Sequence, residues 1–407
     1  MKRVLLYPGV VLAAGLSLSA LWSIVHAHVF AVPGRQSYRS NWSSVAAARY
    51  LDSRETWWQN WPTAQLDHGT FCLSCHTAVP YALARPALRR DLNQRALTSQ
   101  ESSLLKNVED RVSGWSEVRP YYTDQAHAMP SRATEAILNA VILASYSAED
   151  DSLKPIARRA FDSAWALQIV SGNDAGGWQW QDFHEAPWEA PESAYQGAAM
   201  LALAVARYPD LNDHDDSTHR HIESLREYLV RQYPEQPILN QLYVLWTSSR
   251  FSDLLTGTQR ANLLKRVAGL QKGDGGWSLS SLDSQTAPRR ALLQWFKRAS
   301  DSDVSDGCAT GLTILIIEQA GVNSQDPMLK RGLAWLEAHQ QQDGSWWASS
   351  INGFRNQYSE MGRFMSDAAT GYAVLALEEA RARHLNAFNP PKERTQASSL
   401  HPHPDLN

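Results

Sequence analysis

The sequence predicts an all-α toroid, an (α/α)6 ring of six inner and six outer helices. Three observations predict it. Almost wholly apolar, small-residue segments recur along the chain, amphipathic segments alternate with them, and a Gln…Gly…Trp pattern marks several of the turns between them. The chain has 407 residues and 43% hydrophobic content, enough for a large core. A formal charge of −4 offers a nucleic acid no basic surface, so no such partner is expected.

The N-terminus reads Met1-Lys2-Arg3, then an apolar run from Val4 to Val25, then the small residues Ala27 and Ala31. A basic start, an apolar stretch and small residues near a cleavage point predict a signal peptide over residues 1–31. An uncleaved anchor is the alternative, weakened by Pro8 and Gly9 inside the run. Either way the remainder is expected outside the cytoplasm, in a periplasmic space.

Residues 41–383 form the expected toroid domain. The segment from Ala309 to Ala320 is echoed about 60 residues later by Ala369 to Ala380. Similar segments run from Cys75 to Ala84, Ala133 to Ala144, Tyr195 to Ala204 and Ile238 to Trp246. A helix apolar all round belongs inside, so these six are the inner helices. Charged-faced stretches at about 44–58, 100–115, 153–169, 218–232, 258–271 and 326–340 are the outer ones. Six pairs can close a ring, burying both end repeats and enclosing a central cavity.

Sixteen tryptophans call for an explanation at the level of the repeat. Several follow a Gln and a Gly at the inward turn: Gln168…Gly176-Gly177-Trp178, Gln271…Gly275-Gly276-Trp277 and Gln340…Gly344-Ser345-Trp346. Glycine supplies positive φ, the indole covers the adjacent helix pair, and the Gln amide is expected to satisfy helix-terminal backbone groups. This pattern resembles the QW repeat of squalene–hopene and oxidosqualene cyclases, whose toroid the β subunits of protein prenyltransferases share. The resemblance covers nearly all of 41–383, most clearly 153–383, and implies the fold rather than the chemistry.

Aligned inner helices place Cys72, Arg132, Glu192, Asp306 and Ser366-Asp367 at comparable heads, around one mouth of the ring. Glu192, Asp306 and Asp367 are therefore the candidate catalytic carboxylates, with N-capping as the plain alternative. The Asp-x-Asp-Asp run that the cyclases need is missing from every inner-helix head. Asp213-His214-Asp215-Asp216 and Glu149-Asp150-Asp151 stand in polar loops instead. Asp306-Gly307-Cys308 looks like part of the prenyltransferase zinc set, but the next helix offers Asp367 where that family has His.

Cys72-Leu73-Ser74-Cys75-His76 has no counterpart in those families. Two thiols three apart with an adjacent His form the attachment pattern for c-type haem, His76 being the proximal iron ligand. A redox dithiol or local disulfide, and a metal site, are the other readings. Pro80 implies that the regular helix starts near it, with the motif in the preceding loop. Just before the next inner helix stand His127 and Met129, the candidate sixth ligands; His76 and Met129 are thus the expected metal ligands. Trp57, Trp58, Trp61, Phe71 and Tyr81 could wall the ring with apolar surface.

Residues 279–303 carry Arg289, Arg290, Lys297 and Arg298 among apolar side chains, which suits a membrane surface or a lid. The tail, 384–407, reads as disordered. Together these observations give an expectation: an exported, squalene-cyclase-like toroid with covalent haem c. It would act in electron transfer, with a partner protein, or in oxidation of an apolar ligand of isoprenoid type. The alternatives are a terpenoid cyclase or isomerase without haem, and a lipid- or protein-binding toroid with a redox dithiol.

Overall fold

The computed structural model describes residues 41–208, 211, 216–283, 303–348, 350–352 and 356–388, without the side chains of 385–388. The expected signal peptide, the basic segment at 284–302 and the tail beyond Phe388 lie outside the described residues. Among the described residues, twelve helices longer than one turn alternate in position. The outer ones are α1 (Ser44–Asn60), α3 (Ser99–Ser113), α5 (Lys154–Trp165), α7 (Asp216–Gln232), α9 (Gly257–Leu270) and α11 (Pro327–Ala338). The inner ones are α2 (Ala78–Asp91), α4 (Ala128–Ser147), α6 (Ser193–Arg207), α8 (Ile238–Ser248), α10 (Gly307–Gln319) and α12 (Phe364–Phe388).

Packing among the inner helices runs α2–α4–α6–α8–α10–α12 and returns from α12 to α2. The fold is therefore the (α/α)6 toroid. Only isolated β-bridges occur among the described residues. No helix among them is long and apolar enough to cross a membrane.

Composition explains which helices go inside. Every residue of α10 from Gly307 to Glu318 is buried. In α5 burial is confined to Ala157, Ala160, Phe161, Ala164 and Trp165, one stripe at helical spacing. Small residues set the closest inner contacts: a Cβ on Gly311 would lie 2.6 Å from the Ala373 nitrogen, and one on Gly371 would lie 2.6 Å from Pro80 Cβ. The hydroxyls of Tyr243 on α8 and Tyr372 on α12 meet at 2.8 Å, both buried.

The Gln…Gly…Trp turns share one geometry, and its division of labour differs from the expected one. The indole N–H donates to a carbonyl in the last turn of its own outer helix: Trp178 to Ala164, Trp277 to Val267 and Trp346 to Leu336, at 2.7–2.8 Å. Tryptophan, rather than glutamine, bonds a last-turn carbonyl of its own outer helix. Each Gln amide donates to its own turn, at Gly176, Gly275 and Gly344, and also to the next outer helix or its cap, at His221, Met328 and Ser43. Glutamine therefore ties one repeat to the next. The last tie closes the ring, since Ser43 N–H also donates to Gln340 Oε1 at 2.7 Å.

Glycine is required twice over in these turns. Gly344 has φ +98°, and a Cβ there would lie 2.1 Å from the Ala46 carbonyl oxygen, across the closure. Gly172 has φ +85° with open space around it. In urea unfolding, Gly172→Ala should cost about 1 kcal/mol from backbone strain alone. Gly344→Ala should cost about 3 kcal/mol or more, because the turn must also back away from α1. Equal losses would show that the close approach contributes nothing.

Candidate functional site

A pocket opens at the mouth formed by the N-terminal ends of the inner helices. It holds about 1360 Å³ of atom-free space, part of it continuous with solvent. Its wall combines the 61–77 loop, the heads of α4 and α12, and loop residues near 121, 180–189 and 350–362. Cys72, Cys75 and His76 all line it.

Local chemistry explains how the motif is held. Asn107 of α3 accepts from the Phe71 N–H at 2.7 Å and donates to the Phe71 carbonyl at 3.0 Å. The Trp58 indole donates to the Cys72 carbonyl at 2.7 Å. Ser74 Oγ accepts from the N–H groups of Thr77 and Ala78, capping α2 two residues before Pro80, so the motif occupies the loop just ahead of the helix. Arg111, fully buried, grips Glu135 of the pocket wall and donates to Thr70 Oγ1 at 2.8 Å, fixing the loop that leads into Cys72.

The two thiols are half-buried and not bonded to each other. Burial pushes both well above the ordinary thiol value. Glu135 adds to the effect at Cys72, as does Glu189 at Cys75. Thiols raised in this way carry little thiolate at neutral pH, which lowers their nucleophilicity in the unloaded protein.

His76 is enclosed by aromatic rings. Phe364 stacks on it at 3.8 Å and 21°, Trp58 meets it edge-on at 5.2 Å, and Trp188 lies at 5.8 Å. Its Nδ1 is 3.0 Å from Thr77 Oγ1.

The three candidate carboxylates do not converge. Asp306 caps α10, accepting from the N–H of Ala309 at 2.9 Å and of Leu279 at 2.6 Å. Burial raises it to about 6 against those backbone donors. Asp367 is 1% exposed and accepts from Tyr50 Oη, Arg54 Nε and Thr77 Oγ1 at 2.7–2.8 Å. Burial pushes its carboxyl up, opposed by Arg54 and these hydrogen bonds. Glu192 stands just ahead of α6, outside the pocket wall, and its carbonyl accepts from Asn240.

The expected sixth ligands also fall outside the wall. Met129 is half exposed on the first turn of α4. His127 bonds to Asp124 at 2.8 Å and stacks on Phe183. The methionines that share the pocket with His76 are Met361 and Met365. Among the described residues no group of three or more His, Cys, Asp or Glu could hold a metal ion, and Cys308 is simply buried against its neighbours. Sequence reasoning missed Tyr121, Tyr122, Glu135, Glu189 and Phe364. Of these, Phe364 carried a signal, standing three residues before Asp367 in the last inner helix.

No family model matches the chain, and no curated protein matches it. Among solved structures, similarity is found to the GH76A alpha-1,6-mannanase of a Salegentibacter species, at 12% identity and a TM-score of 0.45, covering 84% of this chain and 99% of that one. An inactive variant of that enzyme in complex with alpha-1,6-mannotriose gives the same figures. A likeness this distant assigns no substrate and no catalytic residue.

The functional expectation is corrected here. Neither matching solved structure is a squalene cyclase or a redox protein, and electron transfer or oxidation of an isoprenoid ligand finds no support in them. The wall disagrees as well, because Glu135, Gln181, Glu185, Glu189 and Asn352 stand among its rings. Cyclase or isomerase chemistry fails because Asp306 and Asp367 are committed to structural hydrogen bonds. The lipid-holding alternative finds no support in those structures either.

In the unloaded protein the alkylation rate of Cys72 and Cys75 should keep rising with pH through the ordinary thiol value of 9.0. A plateau near neutrality, measured by maleimide labelling and mass spectrometry, would mean a stabilised thiolate instead.

Proposed function

We propose that the mouth pocket is the seat of a covalently attached c-type haem, and that haem binding is the function of this site. One observation carries the reading: Cys72, Cys75 and His76 face a single large pocket, with the two thiols unlinked. The donor set fits the group. Each S–H can add across a haem vinyl group, sulfur to one carbon and hydrogen to the other, so the two thioethers form without an external oxidant. His76 supplies the nitrogen for the iron, and Met361 and Met365 bring thioethers into the same wall. Trp58, Trp61, Trp188 and Phe364 offer apolar faces to a flat macrocycle. When bound, the haem would supply an iron whose properties depend on its axial ligands and on the polarity around it.

The side chains divide the work. Cys72 and Cys75 tether, His76 ligates, and the aromatic rings exclude water from the face they cover. Arg111 and Asn107, behind the wall, keep the tethering loop in place. The corrected electron-transfer and isoprenoid-oxidation roles form no part of this reading.

The test is expression of the full chain with its N-terminal segment in a bacterial host with and without haem-attachment machinery. The expected result is one haem per chain that survives denaturation, read by mass and by the pyridine haemochrome spectrum. The paired Cys72→Ala and Cys75→Ala variant should lose it while keeping its helical circular dichroism. A folded wild-type chain from the competent host with no added porphyrin mass would overturn the proposal.

A further inference from the structure

Behind His76 runs a chain of hydrogen bonds whose donors can be assigned from proton counting. Thr77 Oγ1 lies 3.0 Å from His76 Nδ1 and 2.7 Å from Asp367 Oδ2. The threonine hydroxyl has one proton to give. The carboxylate beside it also accepts from Arg54 at 2.8 Å and from Tyr50 at 2.8 Å, and Arg54 forms an ion pair with it inside the protein. A carboxylate so held is an acceptor, so the Thr77 proton goes to Asp367. The Thr77 oxygen must then accept, and the imidazole must be the donor. A neutral imidazole has one N–H. With that N–H at Nδ1, Nε2 is the basic nitrogen.

We infer that Thr77 and Asp367 are positioning residues that hold His76 in its Nδ1–H tautomer, leaving Nε2 as the iron ligand. Such carboxylate-backed support fixes both the tautomer and the ring orientation of a metal-ligating His, and raises its basicity. Here the carboxylate acts through an intervening hydroxyl. Phe364 and Trp58 complete the support by fixing the plane of the ring. Asp367, expected from the sequence to be a catalytic acid at a helix head, is thereby given a different task, and Thr77 gains a task the sequence did not suggest. For its iron this assignment rests on the haem reading; for its hydrogen-bond chemistry it does not.

The test needs no haem. In the full chain, unloaded and labelled with ¹⁵N-histidine, imidazole nitrogen shifts separate N–H from lone-pair nitrogens at a pH where the ring is neutral. Signals absent from a His76→Gln variant identify His76. The expected result is an N–H at Nδ1 and a lone-pair nitrogen at Nε2. Thr77→Val, which keeps the shape but removes the acceptor, should reverse or mix the two, and Thr77→Ser should restore the wild-type pattern. An Nε2–H tautomer in the wild type, or a tautomer unmoved by Thr77→Val, would overturn the assignment whether or not haem attaches. Failure of haem attachment with the Nδ1–H tautomer intact would overturn the haem reading alone.

Discussion

A buried carboxylate stands where the ring closes and where the site is built. Asp367, on the last inner helix, receives hydrogen bonds from Tyr50 and Arg54 on the first outer helix and from Thr77 beside the first inner helix. A charge this deep is tolerated only when paired and fully hydrogen-bonded, and losing a single partner would leave the rest uncompensated. The first and last repeats of the ring are thus bound together by a group whose satisfaction requires both. The same carboxylate backs the residue that holds His76. Closing the toroid and presenting the motif are one structural event.

The ring itself is propagated by a simpler device. At α5, α9 and α11 tryptophan bonds a carbonyl in the helix's last turn, glycine lets the turn approach the next outer helix, and glutamine bonds across the gap. Each component solves a separate backbone problem, which is why all three residue types recur together. At the closure the device is used once more, with Gln340 reading the backbone of Ser43, 297 residues away.

Much of the architecture was legible in the sequence because it depends on repeated patterns. Almost wholly apolar segments such as Ala309 to Ala320 read as inner helices, and Gln…Gly…Trp marks several of the turns. The individual roles of Gln and Trp were not legible, since either side chain can reach a carbonyl and only geometry tells which does. The contact between Tyr243 and Tyr372 was also hidden, because they lie 129 residues apart and nothing local shows that their hydroxyls meet. The Cys72–His76 motif announced itself through spacing. Its surroundings did not, because the pocket wall comes from irregular loops without periodicity, among them the Glu185–Glu189 turn with its cis Ala186–Pro187 bond. Proximity in the repeat order pointed to His127 and Met129, while three-dimensional closure brings in Met361, Phe364 and Met365 from the opposite end of the chain.

The central claim is that ring closure seats His76 and two tethering thiols around one covalently held macrocycle. A crystal structure of the protein purified from a host able to attach haem tests it most directly. The account predicts continuous density from both Cys72 Sγ and Cys75 Sγ to a porphyrin in the mouth pocket, with His76 Nε2 on the iron and Thr77 bridging Nδ1 to Asp367. A Cys72–Cys75 disulfide, or a pocket with no density joined to either sulfur, would contradict it.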